Sequence, residues 1–238
     1  MPLLSLQGLT VAANGLHLVD GVDLDVEGGK ISALVGESGS GKSLTALAVI
    51  GLLSANLELI KGRIEFDSVN VAELSEREMS SLRGRQISMI FQEPLSSLNP
   101  LHSIEKQIAE VLLLRKKMSP GKARERVLEL LTLVNLESAS DRLSSLPHEF
   151  SGGQQQRIMI AMALANNPDL LIADEPTTAL DVTIQAQVLN LMRDLQQKLG
   201  MSLLFITHDL GIVRRMADSV CVMHDGLIVE HGPTAKVL

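Results

Sequence analysis

The octapeptide Gly36-Glu37-Ser38-Gly39-Ser40-Gly41-Lys42-Ser43 decides the fold of this chain. It lies between an apolar run, 30–35, that predicts a strand and a stretch, 43–53, of helical character. A strand, a glycine-rich loop and a helix in succession form a nucleotide-binding arrangement, because consecutive backbone N–H groups at a helix N-terminus surround an anion. Lys42 would place a positive charge on the outer phosphates, and the Ser43 hydroxyl would ligate magnesium. A plain glycine-rich turn is the alternative interpretation, which the flanking strand and helix disfavour.

Two adjacent acidic residues, Asp174 and Glu175, follow the apolar run 170–173. This run predicts a buried strand, and in open α/β sheets ligands bind outside the carboxyl ends of the strands. Adjacent side chains point in opposite directions along a strand, but the chain turns at its exit, so the two acids can do different work. We expect Asp174 to reach the magnesium shell and Glu175 to orient and deprotonate a water molecule. Solvated acids that open a loop before Pro176 are the alternative for this segment taken alone.

A second helix start with phosphate-binding character lies at Phe150-Ser151-Gly152-Gly153-Gln154. A hydroxyl group and exposed N–H groups there precede an apolar-rich helix that includes residues 157–164. Taken alone, the segment is more typical of a simple N-cap serine followed by flexible glycines. Two such helix starts in one chain suggest that they act on different ATP molecules.

The remaining hydrophobic patterns predict how these motifs are connected. Short alternating stretches, 3–11 and 19–26, predict antiparallel strands, and the stretch 103–146 has helical character throughout. Apolar strands at 170–173 and 202–206 flank an amphipathic helix, and this alternation of strand and helix implies a parallel sheet.

These elements predict one α/β domain over residues 1–238. Its P-loop NTPase core has a mostly parallel sheet, an N-terminal antiparallel β subdomain and a helical subdomain inserted at approximately 96–165. The amphipathic helix is expected to end at Gly200. A hairpin through Asp225-Gly226 is expected on the margin of the sheet.

Charge and composition exclude several classes of function. The chain has 28 acidic and 21 basic side chains and a net charge of -7, and its longest basic run is Arg115-Lys116-Lys117, so no nucleic-acid partner is expected. The longest mostly apolar stretch, 46–60, contains polar residues and is shorter than the roughly 20 residues of a membrane-spanning helix. Residues 1–10 lack the features of a secretory signal, and the single Cys221 can form no internal disulfide, which fits a reducing cytoplasm.

The order and spacing of the motifs resemble the motif set of ABC-type ATPases over nearly the whole chain. A lone glutamine or histidine would carry little weight, since either is more often an ordinary surface residue. The set that carries the resemblance is Gly36 to Ser43, Gln92, Phe150 to Gln154, Leu170 to Glu175, Ala179-Leu180-Asp181 and His208. The fold that it implies is the ABC-type P-loop NTPase.

The resemblance implies a magnesium-dependent ATPase that works as a head-to-tail dimer with an identical or paralogous subunit. The segment Ser151-Gly152-Gly153-Gln154 of one subunit would close over ATP held by Gly36 to Leu44 of the other. Asp181 would link one composite site to its twin. A monomer is then expected to be nearly inactive, because the transition-state charge is stabilised only when the partner arrives.

Three single residues receive catalytic roles from the same resemblance. Glu175 would be the general base. His208 resembles the histidine that contacts the γ-phosphate. Gln92 resembles the loop glutamine that approaches Mg²⁺ and the attacking water and also senses the membrane partner, so Ser43, Gln92 and Asp174 form the predicted metal set.

A narrower resemblance points to the importer branch for oligopeptides, dipeptides and nickel. It is carried by Phe91 to Pro100, Leu146 to Glu149 and Ile172 to Thr183. In that branch two ATPases drive two transmembrane permease subunits. An extracytoplasmic solute-binding protein delivers the solute to the permease. The resemblance thus implies a peripheral protein on the cytoplasmic face of the cell (inner) membrane that powers import of a peptide, nickel or a metal complex. The ATPase never touches the cargo, so its residues cannot specify which one.

Two functions of other classes stay open. A soluble ABC ATPase of DNA repair, chromosome structure or translation would usually show long coiled-coil insertions, zinc-binding cysteines, basic patches or a second cassette, and none of these is visible in the sequence. A P-loop kinase that phosphorylates a metabolite would leave the segment 151–154 and His208 without a purpose.

The sequence departs from the family pattern in three places. Many ABC ATPases stack adenine on an aromatic residue after the first strand, but this chain has Val11-Ala12-Ala13-Asn14-Gly15 there, and the nearby His17 is expected to be an ordinary surface histidine. Phe150 stands where leucine is usual, a change of apolar anchor from which we expect little effect. Importer relatives usually continue beyond the position of Leu238, so a short member, a truncated chain or one half of a tandem protein is expected.

Overall fold

The structure of the protein, a computed structural model, describes residues 2–92, 97–116, 118–178 and 180–238. The strands are β1 (Pro2–Ala13), β2 (Leu16–Glu27), β3 (Ile31–Val35), β4 (Glu58–Phe66), β5 (Val69–Asn70), β6 (Ile87–Ile90), β7 (Leu170–Asp174), β8 (Ser202–Thr207), β9 (Ser219–His224) and β10 (Leu227–Pro233). The helices are α1 (Lys42–Val49), α2 (Glu76–Leu82), α3 (Ile104–Lys116), α4 (Pro120–Leu133), α5 (Gly152–Ala163), α6 (Val182–Leu199), α7 (Leu210–Met216) and α8 (Thr234–Val237). Short 3-10 turns lie at Val71–Glu73, Glu137–Arg142 and Pro147–Glu149.

The strands form two sheets. An antiparallel sheet has the order β2-β1-β4-β5, and a second sheet has the order β10-β9-β3-β8-β7-β6. In the second sheet β6, β7, β8, β3 and β9 run parallel, and only β10 is antiparallel, on the edge. The predictions of an antiparallel start, a mostly parallel core sheet and a marginal hairpin are therefore confirmed.

The central strands of the parallel sheet are buried on both faces. On β8, Leu203 and Phe205 pack into one hydrophobic cluster, whereas Leu204 and Ile206 pack into another. Successive side chains on a strand point to opposite faces, so one strand contributes to two cores. This arrangement explains why the strand reads as a continuous apolar run rather than as an alternating one.

The ends of several helices differ from the sequence predictions. The helix expected over 43–53 ends at Val49, and Gly51, with φ +61°, follows it in the left-handed region. The segment 103–146 is not helical throughout, because α4 ends before Asn135, which adopts φ +55°. In contrast, α6 ends where predicted, at Gly200 with φ +65°, a conformation that glycine adopts without a steric cost.

Some predicted features lie outside the described residues. These are the positions 93–96 and 117, and Ala179 of the Ala179-Leu180-Asp181 motif. The limits of the inserted helical subdomain, approximately 96–165, stay a prediction, and α3, α4 and α5 fall within them. Among the helices of the described ranges, none combines the length and the apolar character needed to cross a bilayer.

Candidate nucleotide site

The glycine-rich loop leaves the C-terminal end of β3 and enters α1 through Gly41. Gly41 has φ +105°, and a Cβ atom placed there would lie 2.9 Å from the Leu18 carbonyl oxygen. A Cβ atom on Gly36 would overlap the carbonyl oxygen of Met223. The loop thus wedges between β2 and β9, and only residues without side chains fit at these two positions.

Lys42 lies inside this loop rather than on the surface. Its side chain is 5% exposed, and its Nζ atom donates to the carbonyl oxygens of Gly36 at 2.9 Å and Glu37 at 2.6 Å. Burial lowers the pKa of the Lys42 ammonium, although the negative charges of Glu175 and Asp174 oppose that shift. A buried cation surrounded by a glycine-rich loop suits the charge of a polyphosphate.

Asp174, the last residue of β7, lies beside Ser43 and Lys42 of the glycine-rich loop. It is 4% exposed, and its Oδ1 atom has no hydrogen-bond partner within the described part of the chain. Burial raises the pKa of the Asp174 carboxyl group, and the neighbouring charge of Glu175 adds to this, while a hydrogen bond from Ser43 and the charge of Lys42 lower it. A buried carboxylate oxygen without a partner beside a serine hydroxyl is an oxygen donor set that fits Mg²⁺.

Glu175 occupies the turn immediately after β7. Its φ of +44° is unusual for a residue with a side chain, and its N–H donates to the carbonyl oxygen of Ile206 at 2.9 Å. Three side chains contact its carboxylate: Thr178 Oγ1 at 2.7 Å, His208 Nδ1 at 3.1 Å and Gln92 Nε2 at 3.3 Å. The backbone and the side chain of Glu175 are thus held from several directions.

These contacts set the protonation state of Glu175. Burial alone would raise its pKa, but the hydrogen bonds from Thr178 and His208, together with the charges of His208 and Lys42, hold the pKa of Glu175 below its ordinary value. The residue is therefore a carboxylate at neutral pH and can accept a proton.

A cavity of about 560 Å³ opens in front of these groups. It is lined by Val35, Gly36, Glu37, Ser38, Gln92, Glu175, His208, Leu210 and Val222. The side chain of Leu44 packs instead against the hydrophobic cluster on the β1 side of the sheet, so only its backbone can face the loop. The structure thus brings the P-loop, Gln92, Glu175 and His208 to one site.

The Ser151 to Gln154 segment does not line this cavity in the described part of the chain. Ser151 caps α5: its Oγ accepts from Gln154 N–H at 3.4 Å, and Gln154 Oε1 accepts from Ser151 N–H at 3.0 Å. Ser151 is therefore an N-cap residue, as the alternative interpretation of this segment predicts. Gly153 lies against α6, where a Cβ atom would approach Ile184 Cγ2 at 2.5 Å.

Asp181 and His17 also have structural partners. Asp181 is the N-cap of α6, and its Oδ1 accepts from the N–H of Ile184 at 3.0 Å. His17 pairs with Asp20 at 3.2 Å on the surface, and the two side chains are 45% and 47% exposed. Neither residue lines the cavity among the described residues.

Thr178 receives no individual role from the sequence, although its hydroxyl group lies on the carboxylate of Glu175 in the structure. A local signal was present, because Thr178 follows Glu175 by three residues across a turn that contains Pro176. Leu210 and Val222 of the cavity wall had no such signal, since they approach the loop only through the folding of α7 and β9.

The fold and this site define a P-loop nucleotide-binding protein of the α/β class. Residues 19–178 match the protein family described as ABC transporter, and the chain belongs to that family. The predicted ABC-type ATPase domain is confirmed by this match.

Individual relatives agree with the family. The peptidoglycan transport ATP-binding protein YejF of Agrobacterium fabrum is 54% identical over 99% of this chain and 44% of its own length. The oligopeptide transport ATP-binding protein OppD of Bacillus subtilis is 52% identical over 93% of this chain and 62% of its own length. The chain therefore spans about half the length of these curated relatives. Their names concern transport, so the alternative of a non-transport ABC ATPase is not favoured.

A solved structure agrees over the whole fold. The dimer of the ATP-binding cassette MJ0796, in a post-hydrolysis state bound to ADP and Pi, is 28% identical to this chain, with a TM-score of 0.85. The alignment covers 97% of this chain and 98% of that one. The predicted fold class is confirmed.

Proposed function

We propose that the chain hydrolyses ATP in this cavity and that Glu175 accepts the proton of the attacking water. The observation that carries the proposal is the Glu175 carboxylate, which three side chains hold at the mouth of a loop that buries Lys42. An oriented carboxylate opposite a phosphate-binding loop has the geometry that general base catalysis requires.

The loop binds the phosphates in this proposal. Backbone N–H groups from Gly36 to Leu44 surround the phosphate oxygens, and Lys42 turns from the loop carbonyls to the outer phosphates. The three partners of Lys42 Nζ are two carbonyl oxygens and the Ser40 hydroxyl, all in its own loop, so a phosphate competes with neutral acceptors and brings the stronger charge.

Ser43, Asp174 and Gln92 would hold Mg²⁺. When bound, the ion neutralises phosphate charge and stabilises the negative charge of the transition state. Asp174 supplies a buried carboxylate oxygen that is otherwise without a partner among the described residues.

His208 and Gln92 flank the base. His208 follows β8, is 57% exposed, lines the cavity with Nδ1 on Glu175, and would contact the γ-phosphate. Gln92 contacts the same carboxylate from the end of β6, so both residues can orient the water that Glu175 deprotonates.

A second subunit, identical or paralogous, completes the site in a head-to-tail dimer. Within one chain, Ser151 to Gln154 lie apart from the residues that line the cavity. A helix start with exposed N–H groups can stabilise phosphate charge, and in the dimer it would do so on the nucleotide of the other protomer. Asp181, at the start of α6, would connect the two sites.

Phosphate release measured with and without candidate acceptors tests hydrolysis directly. The proposal expects Mg²⁺-dependent release of inorganic phosphate that does not depend on any acceptor. Transfer of phosphate to a metabolite, with no release to water, would identify a kinase and contradict it.

We infer further that hydrolysis powers import of a peptide through two membrane permease subunits, with an extracytoplasmic solute-binding protein upstream. The transport names of the relatives support this, and nickel or a metal complex is a family-level alternative for the cargo. The chain would then lie peripherally on the cytoplasmic face of the inner membrane.

An apolar groove of about 290 Å³ supports a docking site for the permease. Leu52 and Phe91, 44% and 41% exposed, lie on its rim, and Met159 and Met162 of α5 lie on its wall. Exposed apolar side chains grouped in a groove are typical of interaction sites. Because Gln92 follows Phe91, occupancy of the groove can affect the catalytic carboxylate.

Co-purification from membranes tests this part. Leu52→Glu should abolish co-purification of the permease while phosphate release by the isolated protein persists. Leu101→Glu, at a site 83% exposed and outside the groove, is the matched control and should retain the permease. Retention of the permease by Leu52→Glu would contradict the assignment of the groove.

A further inference from the structure

We propose that Thr178 is a positioning residue for hydrolysis, whose hydroxyl group fixes the Glu175 carboxylate in the orientation that receives the proton from water. The inference rests on the proposed function, in which Glu175 is the general base. Thr178 Oγ1 lies 2.7 Å from Glu175 Oε2, closer than either of the contacts from His208 and Gln92.

Backbone hydrogen bonds fix the position of Thr178 relative to Glu175. The N–H of Thr178 donates to the carbonyl oxygen of Glu175 at 3.3 Å, and the N–H of Glu175 is anchored to Ile206 of β8. The backbone of this turn is therefore tied to the parallel sheet. What stays free is rotation of the carboxylate about its side-chain bonds, and the Thr178 hydroxyl removes that freedom.

The other two donors reach Glu175 from distant parts of the chain. His208 lies 33 residues away in sequence and is more than half exposed, and Gln92 lies 83 residues away with a contact of 3.3 Å. Thr178 lies only three residues away on the same turn. Its contact consequently depends on the geometry of this turn and not on the packing of distant parts of the chain.

Hydrogen-bond capacity leaves room for the water. A hydroxyl group donates a single proton, and each carboxylate oxygen has two lone pairs. Thr178 and Gln92 both donate to Oε2, and His208 Nδ1 contacts Oε1, so one acceptor position, on Oε1, is left for the water.

The neighbouring Thr177 provides a structural contrast. It is 5% exposed, and its Oγ1 accepts from Gln185 Nε2 at 3.2 Å, which ties the turn to α6. Thr178 is exposed and does not pack into either large core. The hydroxyl of Thr177 therefore supports the fold, and the hydroxyl of Thr178 supports the carboxylate.

Steady-state ATP hydrolysis by Thr178→Val, Thr178→Ser and Thr177→Val tests the proposal. Thr178→Val keeps the shape but loses the donor, so kcat should fall about tenfold, less than the loss expected for removal of the base, while KM is retained. Thr178→Ser restores the donor and should recover most of kcat. Thr177→Val should keep kcat within about twofold, because it leaves the Glu175 contacts in place.

Thermal unfolding of each variant separates catalysis from folding. If Thr178→Val does not fold, Thr178→Ala carries the same expectation. An unchanged kcat in the valine variant, no recovery in the serine variant, or an equal loss in Thr177→Val would each overturn the proposal. Glu175→Gln is measured alongside. Wild-type turnover in Glu175→Gln would contradict the proposed function. An inactive Glu175→Gln together with a fully active Thr178→Val would contradict only the role of Thr178.

Discussion

Nδ1 of His208 lies 3.1 Å from Oε1 of Glu175, and this contact joins the exits of two neighbouring parallel strands. Asp174 of β7 is in register with Ile206 of β8, so the residues that follow leave the sheet side by side. Parallel pairing brings the carboxyl ends of both strands to one edge, next to the end of β3, where the glycine-rich loop begins. The sheet therefore determines the distance between the proposed base and its histidine partner.

Replacement of Glu175 by Gln should leave the shape of the site unchanged but remove the base. We expect kcat for ATP hydrolysis to fall by about 10² to 10⁴-fold, the usual contribution of general base catalysis, with ATP affinity retained. Phosphate release and nucleotide binding measured on the same preparation check this. Turnover within tenfold of the wild type would mean that another group accepts the proton.

Replacement of Lys42 by Ala should weaken ATP binding. The ammonium is the buried positive charge of the loop, and hydrogen bonds to charged groups contribute about 1.5–3 kcal/mol, so we expect Kd to rise by roughly 10 to 100-fold. Lys30→Ala is the control, because Lys30 is exposed and pairs with Asp218 at 3.8 Å. Equal ATP affinity in Lys42→Ala and Lys30→Ala would contradict the role of the loop.

A side chain at Gly36 should destabilise the fold, since a Cβ atom there overlaps the Met223 carbonyl oxygen and the backbone of β9 has to shift. Overpacking of this kind usually costs about 1–3 kcal/mol, so Gly36→Ala should lower the urea midpoint. Gly28→Ala, where a Cβ atom meets nothing within 4 Å, should keep the midpoint near that of the wild type. A Gly36→Ala variant as stable as Gly28→Ala would show that the loop does not wedge against β9.

The thiol of Cys221 should react slowly in the folded chain. Burial, with the nearby charge of Asp25, raises its pKa to about 11, whereas an unfolded cysteine titrates near about 8.5. At pH 8 the folded chain should therefore be alkylated at least tenfold more slowly than the chain in urea. The unfolded state loses its proton first as the pH rises from about 8.5 to 11, so the free energy of unfolding should decline over that interval. Equal alkylation rates in the folded and unfolded chain would contradict the raised pKa of the Cys221 thiol.

Local sequence patterns were sufficient for much of the fold and the site. The octapeptide from Gly36 and the acids at 174–175 could be placed because each combines a strand with its exit, and the edge of a parallel sheet brings such exits together. The early end of α1 could not be predicted in this way. Arg83 donates to the carbonyl oxygens of Ile50 and Gly51 from more than 30 residues away, a contact that no local pattern contains.

The hydrogen bonds of the proposed catalytic groups could not be predicted from the sequence either. The Lys42 ammonium bonds to its own loop carbonyls, and the Thr178 hydroxyl bonds to Glu175, because of backbone turns whose geometry the residue types alone do not determine. The segment 11–15, which has no aromatic residue, lies largely within β1.

Whether ATP is held between two protomers can be measured with a mixture of two impaired variants, at an ATP concentration too low to saturate Lys42→Ala. Lys42→Ala impairs the loop, and Gly153→Val impairs the opposite segment, because its side chain has to displace Ile184. In a head-to-tail pair of one protomer of each kind, one composite site carries both defects and the other carries neither. The equimolar mixture should therefore release phosphate well above the sum of the two separate rates. If the mixture is no faster than that sum, ATP is not shared between two protomers.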